Sequence, residues 1–541
     1  MKTVLIHKIT IKEDENHYEG ISFDVSEAAA VVTDDLLPDR LIDCLFGLYY
    51  KSKRKYISPP TNLLVCESAT SLAEKIRNKT VSCEQVVQAF INRIEEINGV
   101  VNAIVGCRFD AAIQEAKSID ANIKNGLITD KTFEAKPFLG IPYTTKESSS
   151  CKGMRNTFGL IARQNKIAEE DADIVKLMTN AGAILVGVSN MPQLNMWQET
   201  DNPIYGRTNN PYDSTRNAGG SCAGDCAAIA AGGVPIAVGT DIGGSVRIPA
   251  FMNGIFGHKT TSGLISTKGL TNRTGLEKVT MLTAGTLTKT ANDIAPLLKI
   301  LVDKNVDKLK LDEKVNVKNI QVFYTLETED LKISPFTPEM KNKIVKVVKH
   351  FENNSNIPPQ KLDIPEFKFG GDLWRYWIRQ EDNVNYARDF TGCTGKVNVF
   401  IEFLKLLIGQ SNYNIGALLT IFNEKLPIKK KQWIETTTEQ LLQRLMSKLG
   451  ENAVLIYPSA PFTASYHNAS VLRPWNFNYF AIWNALKFPV TQVPLGLDSQ
   501  GLPLGIQVVA PPYQDHLCIA VAKELENAFG GYVPPFDLQT K

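Results

Sequence analysis

Gly239-Thr-Asp-Ile-Gly-Gly-Ser-Val-Arg-Ile-Pro249 is the stretch whose reading decides this chain, together with a second Gly-Gly-Ser upstream in Gly219-Gly-Ser-Cys-Ala-Gly224. A glycine pair ahead of a serine lets successive backbone N–H groups turn inward and cradle an anion. An acyl-transfer oxyanion needs that geometry, so Ser245 is a candidate nucleophile. A lone loop of this kind is often only a turn of small residues. Here it stands with Lys146 in Gly140-Ile-Pro-Tyr-Thr-Thr-Lys-Glu-Ser-Ser149, directly after a strand-like apolar stretch that can hold a side chain rigidly.

A serine hydroxyl is a weak nucleophile and needs a base within hydrogen-bond reach. None of the six histidines (7, 17, 258, 350, 467 and 516) sits in a recognisable hydrolase motif, and His258, in Phe256-Gly-His-Lys259, reads as a structural histidine. The Ser221 loop fails the Gly-X-Ser-X-Gly elbow pattern at its last position, Ala223. No zinc-protease helix, Walker loop or dinucleotide fingerprint is present. A lysine becomes a base once it loses its proton, and apolar walls such as Phe138-Leu-Gly-Ile-Pro-Tyr143 favour that loss.

Lys146, Ser221 and Ser245, with the run from Gly219 to Ile248, resemble the Ser-cis-Ser-Lys triad of the amidase signature family. Residues 205–213, 249–259 and 488–509 extend the resemblance toward the fatty-acid amide hydrolases within it, over a span from residue 58 to the C-terminus. The resemblance implies an α/β fold: one amidase-signature domain with a large twisted mixed β-sheet covered by helices on both faces. It implies that Lys146 takes a proton from Ser221, which takes one from Ser245, and that Ser245 attacks the amide carbonyl. The oxyanion would rest on the backbone N–H groups of Ile242, Gly243, Gly244 and Ser245, with no metal and no organic cofactor. The substrate class implied is carboxylic amides, fatty-acid amides foremost. A small-molecule or aryl amidase and a catalytically weak lipid-binding relative stay open as alternatives. One departure is local: the family writes Gly-Gly-Ser-Ser-Gly-Gly where this chain has Cys222 and Ala223. A Cβ at a position of positive φ would cost ~1 kcal/mol or more, so a slowed hydrolase is the expectation.

Composition narrows the partners. With 541 residues, 43% of them hydrophobic, and a formal net charge of +2, the chain can bury a large core and gives no electrostatic case for nucleic acid. Nine scattered cysteines without metal-ligand spacing point to an intracellular setting, cytoplasmic or peripherally membrane-associated. A homodimer is left open. Residues 1–57 read as a divergent lead-in and 58–541 as the catalytic domain. No signal peptide pattern opens the chain, and Leu41 to Tyr50 is far shorter than the ~20 residues a bilayer span needs. Followed by Lys51-Ser-Lys-Arg-Lys55, it reads either as an ordinary helix with a solvated basic end or as a short interfacial segment. The resembled hydrolases commonly carry an N-terminal membrane helix, and this sequence departs from that pattern.

Periodicity predicts serine-capped helices after Ser68 and Ser82, a helix from Asp171, strands at 183–188 and 235–239, a helix at 338–351, and a late strand pair at 489–496 and 502–509. Between Val397 and Asn423 it predicts a short amphipathic helical hairpin, with Phe400, Phe403, Leu404, Leu407 and Ile408 on one face. In the resembled family this region is a cap through which lipid amides enter.

Overall fold

The computed structural model describes residues 8–10, 22–24, 37–272, 280–328, 330–381 and 384–537. Most of the lead-in before residue 37, with His7, His17 and the opening residues, lies outside the described residues. Eleven strands form one mixed sheet: β1 Ile104–Cys107, β2 Pro142–Lys146, β3 Ile184–Ser189, β4 Ile236–Asp241, β5 Phe256–Lys259, β6 Thr283–Thr288, β7 Gln321–Tyr324, β8 Gln360–Lys361, β9 Ala453–Pro458, β10 Val490–Leu497 and β11 Pro503–Val509. Their spatial order is β8-β7-β9-β11-β10-β5-β6-β4-β2-β3-β1. β2 runs parallel to both β3 and β4, while β10 and β11 form the antiparallel late pair. The predicted α/β class and its covered mixed sheet are what the structure shows.

Two cores follow from the period-2 alternation of the strands. In β9, Val454 and Ile456 join one core while Ala453, Leu455 and Tyr457 join the other. The helices that matter below are α1 Leu37–Tyr50, α2 Ala69–Arg77, α3 Cys83–Val101, α4 Ala223–Ala230, α5 Arg247–Met252, α6 Gly370–Ile378, α7 Val399–Leu407, α8 Ile415–Lys425 and α9 Asn478–Ala485. The side chains of α2, α3 and α4 fill the first core, and those of α5, α6, α8 and α9 pack mainly into the second. Ser68 caps α2 by accepting from the Ser71 amide, and Ser82 caps α3 in a reciprocal box with Gln85.

α1 is held by ion pairs near its start and by aromatic contacts of Tyr50 with Tyr466 and His467 at its end. Arg473 donates to the Asp39 carboxylate at 2.6 Å and to Asp43 at 2.9 Å. Leu41, Leu45 and Leu48 of α1 are exposed, as are Lys51 and Lys53 beyond its end. Among the described residues no helix is long and apolar enough to cross a membrane.

Candidate active site

The three residues singled out from the sequence converge where β2 and β4 end. Lys146 is the last residue of β2, wholly buried, with Nζ 3.0 Å from Ser221 Oγ and 3.3 Å from the Thr240 carbonyl. Ser221 occupies the tight loop before α4, joined to Gly220 by a cis peptide bond. Ser245 lies between β4 and α5, and its carbonyl accepts from the Cys222 amide at 3.1 Å, which locks the two serine loops together. Lys146 and Ser221 are buried, whereas Ser245 is partly accessible. That gradient suits a relay whose last member alone must meet a substrate.

The glycines are there because nothing larger fits. A Cβ on Gly220 would come within 2.2 Å of the Trp197 carbonyl oxygen. Gly244 has φ +112, and a Cβ there would stand 2.5 Å from Phe480 of α9. Trp374 of α6 covers Gly243 and donates its indole N–H to the Ile242 carbonyl at 2.7 Å.

A buried ion pair that was not singled out from the sequence fixes the Ser245 loop. Arg247 bonds both carboxylate oxygens of Asp241, at 3.0 and 3.1 Å, and also donates to Gln507, Asn484 and the Phe480 carbonyl. Burial alone would raise the Asp241 carboxyl, but the charge and hydrogen bonds of Arg247 hold it down at about 2. The signal was in plain view: Asp241 and Arg247 flank the glycine pair inside the quoted motif.

This network corrects one expectation. The Gly244 amide donates to Asp241 Oδ1 at 2.7 Å and is already taken. That leaves the amides of Ile242, Gly243 and Ser245 as the candidate donors.

The Cys222-Ala223 departure is also resolved. Ala223 is the first residue of α4 and is absent from the positive-φ residues, so its Cβ carries no strain there. Cys222 is buried, its Sγ 3.5 Å from the Thr240 carbonyl, and burial pushes its thiol up to about 12. A protonated, enclosed thiol is no rival nucleophile. His258 is structural as read: its ring nitrogens meet Thr491 at 2.8 Å and Asp515 at 3.1 Å, all three groups wholly buried.

Above Ser245 opens a cavity of about 260 Å³. Trp197, Trp374, Phe422, Val471, Trp475 and Phe477 supply most of its apolar wall. α8 forms one lip, packed so closely on Trp197 that a Cβ on Gly416 would come within 2.5 Å of the indole. α7 packs on α8 with Phe400, Leu404 and Leu407 turned to solvent, 76%, 66% and 82% exposed. Phe403 departs from the predicted stripe: it turns inward against the second core. Among the described residues no cluster of His, Cys, Asp or Glu has the arrangement to hold a metal ion.

The amidase family profile matches residues 85–519. The chain belongs to the amidase signature family. It is 40% identical to human fatty-acid amide hydrolase 2 over 489 residues, covering 88% of this chain and 92% of that protein. Identity to fatty-acid amide hydrolase 2-A of Danio rerio is 38% over 504 residues, 91% of this chain and 94% of the relative. A solved fatty acid amide hydrolase shares the fold with a TM-score of 0.72 at 21% identity, covering 93% of this chain and 91% of the other.

Proposed function

We propose that this amidase cleaves fatty-acid amides to free acid and amine through an acyl-enzyme on Ser245. The observation that carries the reading is the apolar, largely aromatic-walled cavity of about 260 Å³ that Ser245 helps to line, a surface that can take an acyl chain. The named relatives support the same substrate class.

The proposed sequence runs through the side chains described. Lys146 accepts the Ser221 proton as Ser221 accepts that of Ser245. Ser245 Oγ forms the C–O bond, and the carbonyl π electrons move onto oxygen, facing the amides of Ile242, Gly243 and Ser245. One such donor is typically worth ~3 kcal/mol of barrier. Collapse breaks the C–N bond while the relay returns its proton to the leaving nitrogen. Water, deprotonated along the same path, then releases the acid.

Peripheral membrane contact completes the proposal. The exposed face of α7 and the Leu41, Leu45 and Leu48 face of α1 both adjoin segments that line the cavity, α8 and residues 471–475. Each inserted side chain would contribute roughly 1–3 kcal/mol.

The test is a fluorophosphonate probe with peptide mapping, run beside an amide series graded by acyl length. The expected result is an adduct on Ser245, kcat/KM rising with chain length, and a loss of several decades of rate in Ser245→Ala and Lys146→Ala. Turnover surviving Ser245→Ala would end the assignment. A preference for short aryl amides would replace the substrate class.

A further inference from the structure

Two segments of the chain, residues 197–198 and 471–477, both line the cavity, and Gln198 Nε2 donates to the Arg473 carbonyl between them at 3.2 Å. A buried carboxylate also joins them. Glu199, next in sequence to the first wall, accepts from His467 Nδ1 at 3.0 Å, from the Asn468 amide at 2.9 Å and from Ser470 Oγ at 3.0 Å, all just ahead of the second wall. Both side chains of the Glu199–His467 pair are only 4% exposed. His467 Nε2 lies 3.1 Å from the Ser214 carbonyl, which can only accept. Nε2 thus faces a group that only accepts, and Nδ1 faces the carboxylate. Arg207 is a cation in reach, 3.8 Å from Glu199.

The same short segment also grips the loop of Ser221. Thr200 Oγ1 donates to the Gly219 carbonyl at 3.0 Å, Asn217 donates to the Gln198 carbonyl at 3.2 Å, and Trp197 closes on Gly220. Glu199 thus stands where the cavity wall and the serine loop share backbone.

We propose that Glu199 and His467 are positioning residues for acyl-chain selectivity: their buried hydrogen-bonded contact sets the spacing of the two cavity segments near Ser245. The proposal rests on the cavity being the acyl site. Glu199→Gln leaves the donors of His467, Asn468 and Ser470 without their carboxylate, and His467→Gln takes from the buried carboxylate its nearest donor on this segment, with Arg207 still 3.8 Å away; in either case the 471–477 wall moves to let water reach the group left unmatched. Loss of both removes the mismatch, so the double variant is milder than either single one.

The experiment uses the full chain and two 4-nitroanilides, butyryl and decanoyl, with wild type, Glu199→Gln, His467→Gln and the double variant. Each single change should lower the decanoyl-to-butyryl ratio of kcat/KM about tenfold, through KM more than kcat, and the double variant should recover part of that ratio. Equal losses on both anilides, an unmoved ratio, or a double variant worse than either single one would overturn the assignment. Ser470→Ala, which deletes one hydroxyl and no charge, covers the case in which the single variants do not fold: it should shift the ratio in the same direction, and no shift counts against the proposal. A wild-type enzyme with no preference for the decanoyl chain overturns the acyl-cavity reading itself. A wild-type preference untouched by the variants overturns only the role of Glu199 and His467.

Discussion

The Ser245 loop and α8 of the α7–α8 hairpin line the same cavity, and the loop and the hairpin are held by opposite means. At the floor, Asp241 and Arg247 are wholly buried, every Arg247 nitrogen has a partner, and two glycines are pinned by side chains from α6 and α9. At the rim, α7 buries Val399 and half-buries Phe403 while Phe400, Leu404 and Leu407 face solvent. The floor is over-determined because catalysis needs donors fixed before the substrate arrives. The rim leaves apolar surface uncovered, a cost that a water-facing wall would not carry unless something apolar meets it.

The largest effect expected from this contrast is at the floor. Asp241→Asn keeps the shape of the side chain but strands the Arg247 charge in the interior, which should cost ~3–5 kcal/mol. Denaturant unfolding would measure it, and a loss under ~1 kcal/mol would show the floor to be less determined than its hydrogen bonds suggest. The wild type carries the same interaction in its pH dependence. The Asp241 carboxyl is depressed, to about 2, so its stabilisation is complete above the unfolded value and is lost as pH falls from about 4 toward about 2.

At the rim the expectation is reversed. Leu404→Glu/Leu407→Glu should abolish vesicle flotation and leave thermal stability unchanged, because neither side chain packs on the core. A collapsed melt would mean that the face is covered in the folded protein and that the comparison fails on this side. The same residues show how far the sequence could be read. Helical spacing located the hairpin and its apolar stripe, but it assigned Phe403 to the stripe together with Leu404 and Leu407. Which edge of a wide stripe turns inward is decided by the groove it meets, here the second core, and spacing carries no information about that groove.

The floor was legible by another route. Alternation of apolar runs and serine caps was enough for the α/β sheet and several helices, because those signals act over a few residues. The contact between Lys146 and Ser221 spans 75 residues and that between Glu199 and His467 spans 268. Resemblance supplied the first. Nothing local marks the second, since His467 lies in no motif and its partner is set by the meeting of two loops. The Gly244 amide shows a related limit: the four donors came from the resemblance, and in the structure a carboxylate three residues upstream takes that N–H.

A smaller effect separates the chemistry of the floor from its scaffold. Burial raises the Asp225 carboxyl to about 7, against a hydrogen bond from Thr144 at 2.8 Å, and raises that of Glu147 to about 7 as well. Between about 4 and 7 the folded protein therefore holds protons that the unfolded chain has released, so stability falls as pH rises through that window. Asp225→Asn cannot release a proton there. Its melting temperature should decline less steeply from pH 4.5 to 7 than that of the wild type, with Glu147 supplying the remaining slope. Parallel slopes in the two proteins would show that Asp225 is not protonated in the fold.

The smallest effect belongs to the two residues that looked most damaging in the sequence. Cys222→Ser with Ala223→Gly rewrites the loop in its commoner family form, and the sequence alone suggested that this would speed the enzyme. In the structure Ala223 is helical, so glycine there gives up roughly 0.5–1 kcal/mol of helix propensity and relieves no strain. Cys222 Sγ fills the space against Gly239, where a Cβ would approach it to 2.5 Å, and a hydroxyl in its place keeps the contact with the Thr240 carbonyl but fills less volume. Neither change moves the Cys222 amide that binds the Ser245 carbonyl. The double variant should thus turn over within about twofold of the wild type, with a slightly lower melting temperature. A rise in kcat of tenfold or more would mean that the native pair does restrain Ser221, despite the helical backbone at Ala223.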